Sequence, residues 1–212
     1  MRCVFDHLVV SASSLEEGVA WIERTLGVSV GPGGRHPQMG THNRLLRLGQ
    51  SAFLEVIAID PEASSPTHPR WFGLDDACAI RAPRLAAWVA RTDDLHAWPT
   101  AMLAPMGHIK TITRGEREWL ITVPVDGMPL LNGAVPALIE WRRPQRSAAF
   151  DLPDAGCALA TFEIRHPDPA HVQASLAGLG LADVVSISFG RPALRAVIDT
   201  PAGQCVIGEF EH

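Results

Sequence analysis

Three ionisable side chains stand inside otherwise apolar stretches of the sequence: His7, Glu55 and Glu140. A charged side chain in an apolar strand is costly unless a metal, an opposite charge or solvent meets it. An imidazole nitrogen and carboxylate oxygens together suit Zn, Mn, Ni or Fe(II), and Glu55 or Glu140 could instead serve as a catalytic acid or base. Simple pairing of Glu140 with an arginine remains the alternative interpretation.

His42 and Arg44 precede Glu55 in a segment that reads as a β-hairpin, with a tight turn at Gly49-Gln50. If that turn contains two residues, Arg44 lies opposite Glu55, and His42 lies two positions further along the same face. His42 would then supply a further nitrogen ligand near Glu55. Alternatively, Arg44 simply neutralises the carboxylate.

A loop rich in glycine and proline, residues 31–37, comes shortly before this hairpin. It lacks the third glycine and the following helix of a dinucleotide-binding site. Two interpretations remain: a mobile lip that brings Arg35, His36 or His42 to an anionic or oxygen-rich ligand, or a plain connection.

One order of elements occurs three times along the chain: a strand, a helix ended by glycine, and three further strands. We therefore predict an α+β fold of tandem βαβββ modules, each with one helix packed on a mostly antiparallel sheet. The helices are predicted at 15–26, 94–106 and 169–179. Module one spans residues 1–62, module two 83–142 and module three 157–212, with a polar linker at 143–156.

Composition narrows the functional classes. The net charge is −5 and no run of Lys or Arg is present, which argues against a nucleic-acid partner. The longest apolar runs are too short to cross a bilayer, and the first residues do not resemble a signal peptide. Four widely spaced cysteines are expected to be reduced, buried thiols, which favours a cytoplasmic protein without a membrane partner.

Several of these segments resemble the glyoxalase-like branch of the vicinal oxygen chelate superfamily. The resemblance is carried by FDHLVV, GGRHPQMGTHNRLLRLG, AFLEVIAID, LIEW and IDTPAGQCVI. It implies that modules one and two, residues 1–142, pair into one cupped sheet with the helices on its convex side. Members often hold a divalent metal on the concave side.

The resemblance also implies a ligand set. Carried over residue by residue, the metal ligands fall on His7, Glu55 and Glu140, and the ion would be Zn, Mn, Ni or Fe. The fourth position falls on Ala87, which cannot ligate a metal, so the set is incomplete.

Two functions from different classes follow. The first is a metal-assisted isomerase, lyase or dioxygenase that acts on a small oxygen-bearing molecule, with Glu55 or Glu140 moving a proton. The second is a metal-free protein that binds a small molecule in the same cup. Module three is expected to pack on its own chain or to form a homodimer, because a bare apolar sheet face promotes aggregation.

Overall fold

The computed structural model describes residues 2–208 and 210, which contain twelve strands in two sheets and three α-helices. This arrangement confirms the predicted α+β class. The strands are β1 (Val4–Ser11), β2 (Gly33–His36), β3 (Thr41–Leu48), β4 (Ala52–Ile59), β5 (Arg84–Arg91), β6 (His108–Arg114), β7 (Arg117–Val123), β8 (Ala137–Arg143), β9 (Ala158–His166), β10 (Ser186–Phe189), β11 (Ala193–Thr200) and β12 (Gly203–Ile207), and the helices are α1 (Leu15–Leu26), α2 (Thr100–Leu103) and α3 (Pro169–Gly178).

Modules one and two together form sheet A, with strand order β2-β3-β4-β1-β5-β8-β7-β6. In each module the first strand pairs in parallel with the last, and the two first strands, β1 and β5, pair antiparallel at the centre. The end strands β2 and β6 also contact each other, so the sheet curls into a nearly closed cup.

Helix α1 forms where capping signals predict it. The Ser14 side chain accepts a hydrogen bond from the Glu17 N–H, and Gly27 ends the helix in the left-handed conformation. Ile22 and Leu26 are buried on the face that packs on β3 and β4. The convex side of module one is therefore covered by its own helix, as predicted.

Module two differs from the prediction. In place of a helix over 94–106, it has one short helix, Thr100–Leu103, followed by a 3-10 turn at Ala104–Met106. Pro99 and Pro105 flank this helix, and proline cannot donate the backbone hydrogen bonds of a helix interior. Module three covers the part of the convex face of module two that a longer helix would have covered, since the Phe162 ring lies 5.5 Å from that of Trp88 on β5.

Module three forms a separate four-stranded sheet, sheet B, with order β10-β9-β11-β12. The predicted sequence of elements is present, but the pairing is different. Strand β9 pairs in parallel with β10, the second strand of its module, whereas the first strands of modules one and two pair with the fourth. The apolar face of sheet B joins α1 and α3 in the core outside the cup, so module three packs on its own chain. A homodimer stays a prediction.

The segment predicted as a linker, residues 143–156, contributes to the core. A 3-10 turn at Ala148–Asp151 places Ala148, Ala149 and Leu152 among the buried residues of the cup interior. Asp151 pairs with Arg117 on β7 and with Arg146, which holds the turn against sheet A. This segment therefore closes part of the cup.

No helix among residues 2–208 and 210 is long and apolar enough to cross a membrane.

All four cysteines are free thiols. Cys3 and Cys157 are buried and Cys205 is half-buried, but Cys78 is exposed, contrary to the expectation that all are buried. Burial raises the pKa of the Cys3 thiol to about 12.

The packing of sheet B on sheet A predicts the effect of removing one ring. Phe162→Ala deletes a buried side chain that contacts both Phe5 and Trp88, and should lower the free energy of unfolding by about 3–5 kcal/mol in urea denaturation. Phe189→Ala, in the same module but 77% exposed, is the control and should change it by less than about 0.5 kcal/mol. Equal effects of the two variants would contradict this packing.

Candidate functional site

The concave side of sheet A holds a narrow cavity with a free volume of about 30 Å³ inside it and about 390 Å³ when the open space at its mouth is counted. Aromatic and aliphatic side chains form most of its wall, and polar side chains meet in one region. The polar lining residues are His7, His36, Asn43, Glu55 and Arg114, and the apolar ones include Phe53, Trp71, Phe72, Trp119, Ile121, Ile139 and Trp141. The cup thus combines an apolar wall with a small polar cluster.

His7 is positioned by an irregularity in β1. Phe5 pairs with Ala90 and His7 with Val89, so Asp6 is an extra residue, a β-bulge. The bulge brings the fully buried Asp6 carboxylate within 2.8 Å of His7 Nδ1. Bulges often occur beside active sites, where they redirect a side chain.

The Asp6 carboxylate fixes the orientation and proton position of the His7 ring. Its other oxygen, Oδ2, accepts hydrogen bonds from Arg91 (3.3 Å) and from Trp141 Nε1 (3.1 Å). A carboxylate that accepts from these donors is ionised, so His7 Nδ1 must donate to Oδ1. The neutral His7 ring then has its lone pair on Nε2.

Glu55 lies beside that nitrogen. His7 Nε2 and Glu55 Oε2 are 3.7 Å apart, and both groups are buried. The other oxygen of Glu55, Oε1, accepts a hydrogen bond of 2.6 Å from Asn43 Nδ2. Sequence reasoning found both His7 and Glu55, and the structure brings them together.

Arg114 enters the cup from β6 of module two, and no motif in the sequence marked it as a site residue. Its NH1 group donates to Asn43 Oδ1 at 3.1 Å, and its guanidinium lies 5.9 Å from the Trp119 ring centre. Burial lowers the pKa of Arg114, while the Glu55 charge acts in the opposite direction. The side chain passes Gly34 so closely that a Cβ there would lie 2.5 Å from Arg114 Cδ.

His36 also lines the cup, as the ligand-binding prediction proposed. The glycine-rich segment is not a plain loop, because Gly33–His36 forms the edge strand β2. Burial, with the nearby charges of Arg114 and His42, lowers the pKa of His36 to about 3. His36 is therefore a neutral ring at physiological pH, with Nδ1 3.2 Å from Thr41 Oγ1.

The structure corrects the placement of His42 and Arg44. Leu48 pairs with Ala52 rather than with Ser51, because the turn contains three residues. A shift of one residue turns every side chain of β3 to the other face. Asn43 therefore faces the cup, while Arg44 Nε donates to the Gly31 carbonyl outside it at 2.6 Å.

The predicted placement of Glu140 beside His7 and Glu55 is also corrected. Ile139 and Trp141 on β8 face the cup, so Glu140, between them, lies on the opposite side of sheet A. Its carboxylate accepts a hydrogen bond from the Leu95 N–H at 2.8 Å and pairs with Arg142 at 2.6 Å. Glu140 therefore cannot join His7 and Glu55. Its carboxylate instead pairs with an arginine, which is the alternative interpretation given for it above.

These residues do not fit a divalent metal held by the protein alone. The cup offers two donors, His7 Nε2 and Glu55 Oε2, and module two places Ala87 and Ile139 where further ligands would be needed. In the described part of the chain, no three His, Cys, Asp or Glu side chains are grouped in a way that could bind a metal. The nearby Arg114 cation disfavours a second positive charge.

Known structures with a similar fold include a hypothetical protein from Staphylococcus aureus, with 12% identity, a TM-score of 0.64, and coverage of 91% of this chain and 88% of that one. Methylmalonyl-CoA epimerase from Mycobacterium tuberculosis matches with 17% identity, a TM-score of 0.43, and coverage of 65% and 85%. A methylmalonyl-CoA epimerase in complex with methylmalonyl-CoA and NH4+ matches with 14% identity, a TM-score of 0.46, and coverage of 69% and 99%.

Comparison with curated protein sequences found no match. A family model described as "Glyoxalase-like domain" matches residues 5–180, which include all of sheet A and continue into β9 and α3. This match covers most of the chain and agrees with the cupped sheet of paired modules. The chain therefore belongs to the glyoxalase-like domain family.

Proposed function

We propose that the cup binds a small carbonyl compound and moves a proton on it, as an isomerase or a lyase of this superfamily would. One observation carries this proposal: the buried His7–Glu55 pair lies at 3.7 Å, in a cup that is otherwise lined mainly by apolar side chains. A side chain that accepts a substrate proton needs a neighbouring group that holds it in position and apolar surroundings that exclude water.

The His7–Glu55 pair can hold one proton. With His7 Nδ1 donating to Asp6, both His7 Nε2 and an ionised Glu55 Oε2 present lone pairs to the same space. Two facing acceptors repel each other unless a proton or a donor lies between them. A substrate proton transferred to this pair removes that repulsion, which favours its abstraction.

Arg114 supplies the opposite charge. Removing a proton next to a carbonyl pushes the electron pair onto the carbonyl oxygen, which becomes an enolate oxyanion. The Arg114 guanidinium lines the same cavity and can donate hydrogen bonds to that oxygen. Asn43 accepts from Arg114 and donates to Glu55, so it links the base to the oxyanion partner.

The proton balance is simple. The C–H bond beside the carbonyl breaks, and its proton moves to His7 Nε2 or Glu55. Delivery of a solvent-derived proton to the same carbon gives exchange, and delivery to the opposite face of that carbon gives the epimer. When the reacting carbon carries a hydroxyl group, protonation of the former carbonyl carbon with loss of the hydroxyl proton gives an isomer. Loss of a β-substituent from the enolate makes the protein a lyase.

Binding without turnover is the second candidate. The observation that favours it is the apolar inner face of module two, which contains Ala87, Val89, Ile139 and Trp141, the last two lining the cavity. A cup with one polar half and one apolar half suits a ligand that is held and not transformed.

Proton transfer predicts exchange of carbon-bound hydrogen with solvent. The protein in D2O should accelerate deuterium incorporation at the hydroxymethylene carbon of hydroxyacetone, followed by proton NMR. His7→Ala should reduce this rate by at least about a hundredfold, because the proton acceptor is lost. His108→Ala, at an exposed position on β6, is the control and should leave the rate unchanged.

A rate that survives in His7→Ala would overturn the role of His7. Binding of hydroxyacetone in calorimetry without any exchange would favour the second candidate.

Calorimetric titration of the wild-type protein and of His7→Ala with Zn, Mn and Ni should show no stoichiometric binding, because the cup supplies only two protein donors, fewer than a stable site needs. Binding of one equivalent of metal by the wild-type protein, lost in His7→Ala, would contradict the conclusion that the cup does not hold a metal.

The close approach of Arg114 to Gly34 gives an independent test. Gly34→Ala retains every charge but forces Arg114 to shift, since the new Cβ would lie 2.5 Å from its Cδ. The exchange rate should fall roughly ten- to a hundredfold. Gly178→Ala in α3, where the Cβ would meet only the Met102 methyl group at 3.1 Å, is the control. Unchanged exchange in both Gly34→Ala and Arg114→Met would exclude Arg114 as the oxyanion partner.

A further inference from the structure

A second cavity adjoins the first, with a free volume of about 20 Å³ inside it and about 380 Å³ when the open space at its mouth is counted. Its lining is almost wholly apolar, and Thr122 is the one lining residue with a hydroxyl or charged side chain. The walls come mainly from module two, above all from the connection between β7 and β8, and include Ala87, Met106, Met128, Pro129, Leu130, Val135 and Ala137. Nothing in the proton-transfer chemistry uses this space.

Trp71 and Phe72 are shared by the two cavities. Their rings stack with centroids 5.6 Å apart. The Trp71 indole N–H is buried and has no hydrogen-bond partner among the described residues, although a buried indole normally finds one. An unpaired donor on the wall between a polar and an apolar cavity indicates that an acceptor atom of a bound ligand supplies the missing hydrogen bond.

This dividing wall is held in a costly conformation. Phe72 has a φ of 58°, which an aromatic residue adopts only where the surroundings impose it. The next residue, Gly73, donates its N–H to the Gly127 carbonyl at 2.9 Å, and Gly127 approaches the Arg70 carbonyl so closely that a Cβ would lie 2.0 Å from it. Backbone strain of this kind is concentrated at ligand-binding sites.

We propose that the second cavity is a specificity subsite that binds a short hydrocarbon group of the substrate. The carbonyl end of the molecule lies at the His7–Glu55 pair, the chain passes Trp71, and the Trp71 N–H donates to an oxygen beside the carbonyl. The substrate class is therefore a carbonyl compound with an adjacent oxygen and an unbranched aliphatic tail. This inference rests on the proposed function for the placement of the carbonyl end.

The test is a homologous series of probes. Hydroxyacetone and its 1-hydroxy-2-ketone homologues, lengthened one methylene at a time, are titrated into the protein by calorimetry. Affinity should rise by about fourfold for each methylene until the cavity is filled. Binding is measured without turnover, so the result does not depend on catalysis.

Two variants locate the subsite. Ala87→Leu fills the cavity, and Met128→Ala removes part of its wall at a residue that is 38% exposed, so the second variant is expected to fold in any case. Each should reduce the ratio of long-chain to hydroxyacetone affinity by roughly tenfold. Ala170→Leu, at an exposed position of α3, is the matched control and should leave the ratio unchanged.

The outcomes separate this inference from the proposed function. Affinity that is independent of chain length, or a ratio that neither variant changes, would overturn the subsite. Chain-length-dependent binding that both variants weaken, without deuterium exchange, would support the subsite and contradict the proposed proton transfer.

Discussion

The hydrogen bond between Asp6 and His7 is the interaction on which the proposed chemistry of the cup depends. It exists because a β-bulge places two consecutive residues of β1 where their side chains meet. Arg91 and Trp141 keep the Asp6 carboxylate an acceptor, and this fixes the proton on His7 Nδ1. The lone pair on Nε2 then faces Glu55 across a space that one proton can occupy.

The two modules contribute different halves of the site. Module one supplies His7, Asn43 and Glu55, and module two supplies Arg114 together with the apolar wall. The second cavity lies on the module-two side, where the resemblance had placed a metal ligand at Ala87. Apolar side chains in that half leave the space that the proposal assigns to a hydrocarbon group, beside the polar cluster proposed to bind the carbonyl group.

The sequence predicted the elements better than their pairings. The capping signals of α1 and the strands around His7 and Glu55 are local, and the structure agrees with them. His42 and Arg44 were misplaced because one additional residue in a turn inverts a whole strand face. Arg114 and the pairing of β9 with β10 depend on contacts between distant segments, for which a single sequence carries no signal.

The central claim is that His7 holds its proton on Nδ1 and exchanges one at Nε2. Nitrogen-15 NMR of the histidine side chains, with His7 assigned by its absence in His7→Ala, tests it directly. We expect the neutral His7 ring to carry its proton on Nδ1, so that the Nδ1 resonance lies in the protonated range and the Nε2 resonance in the unprotonated range. A neutral His7 ring with its proton on Nε2 and a bare Nδ1 would contradict the account.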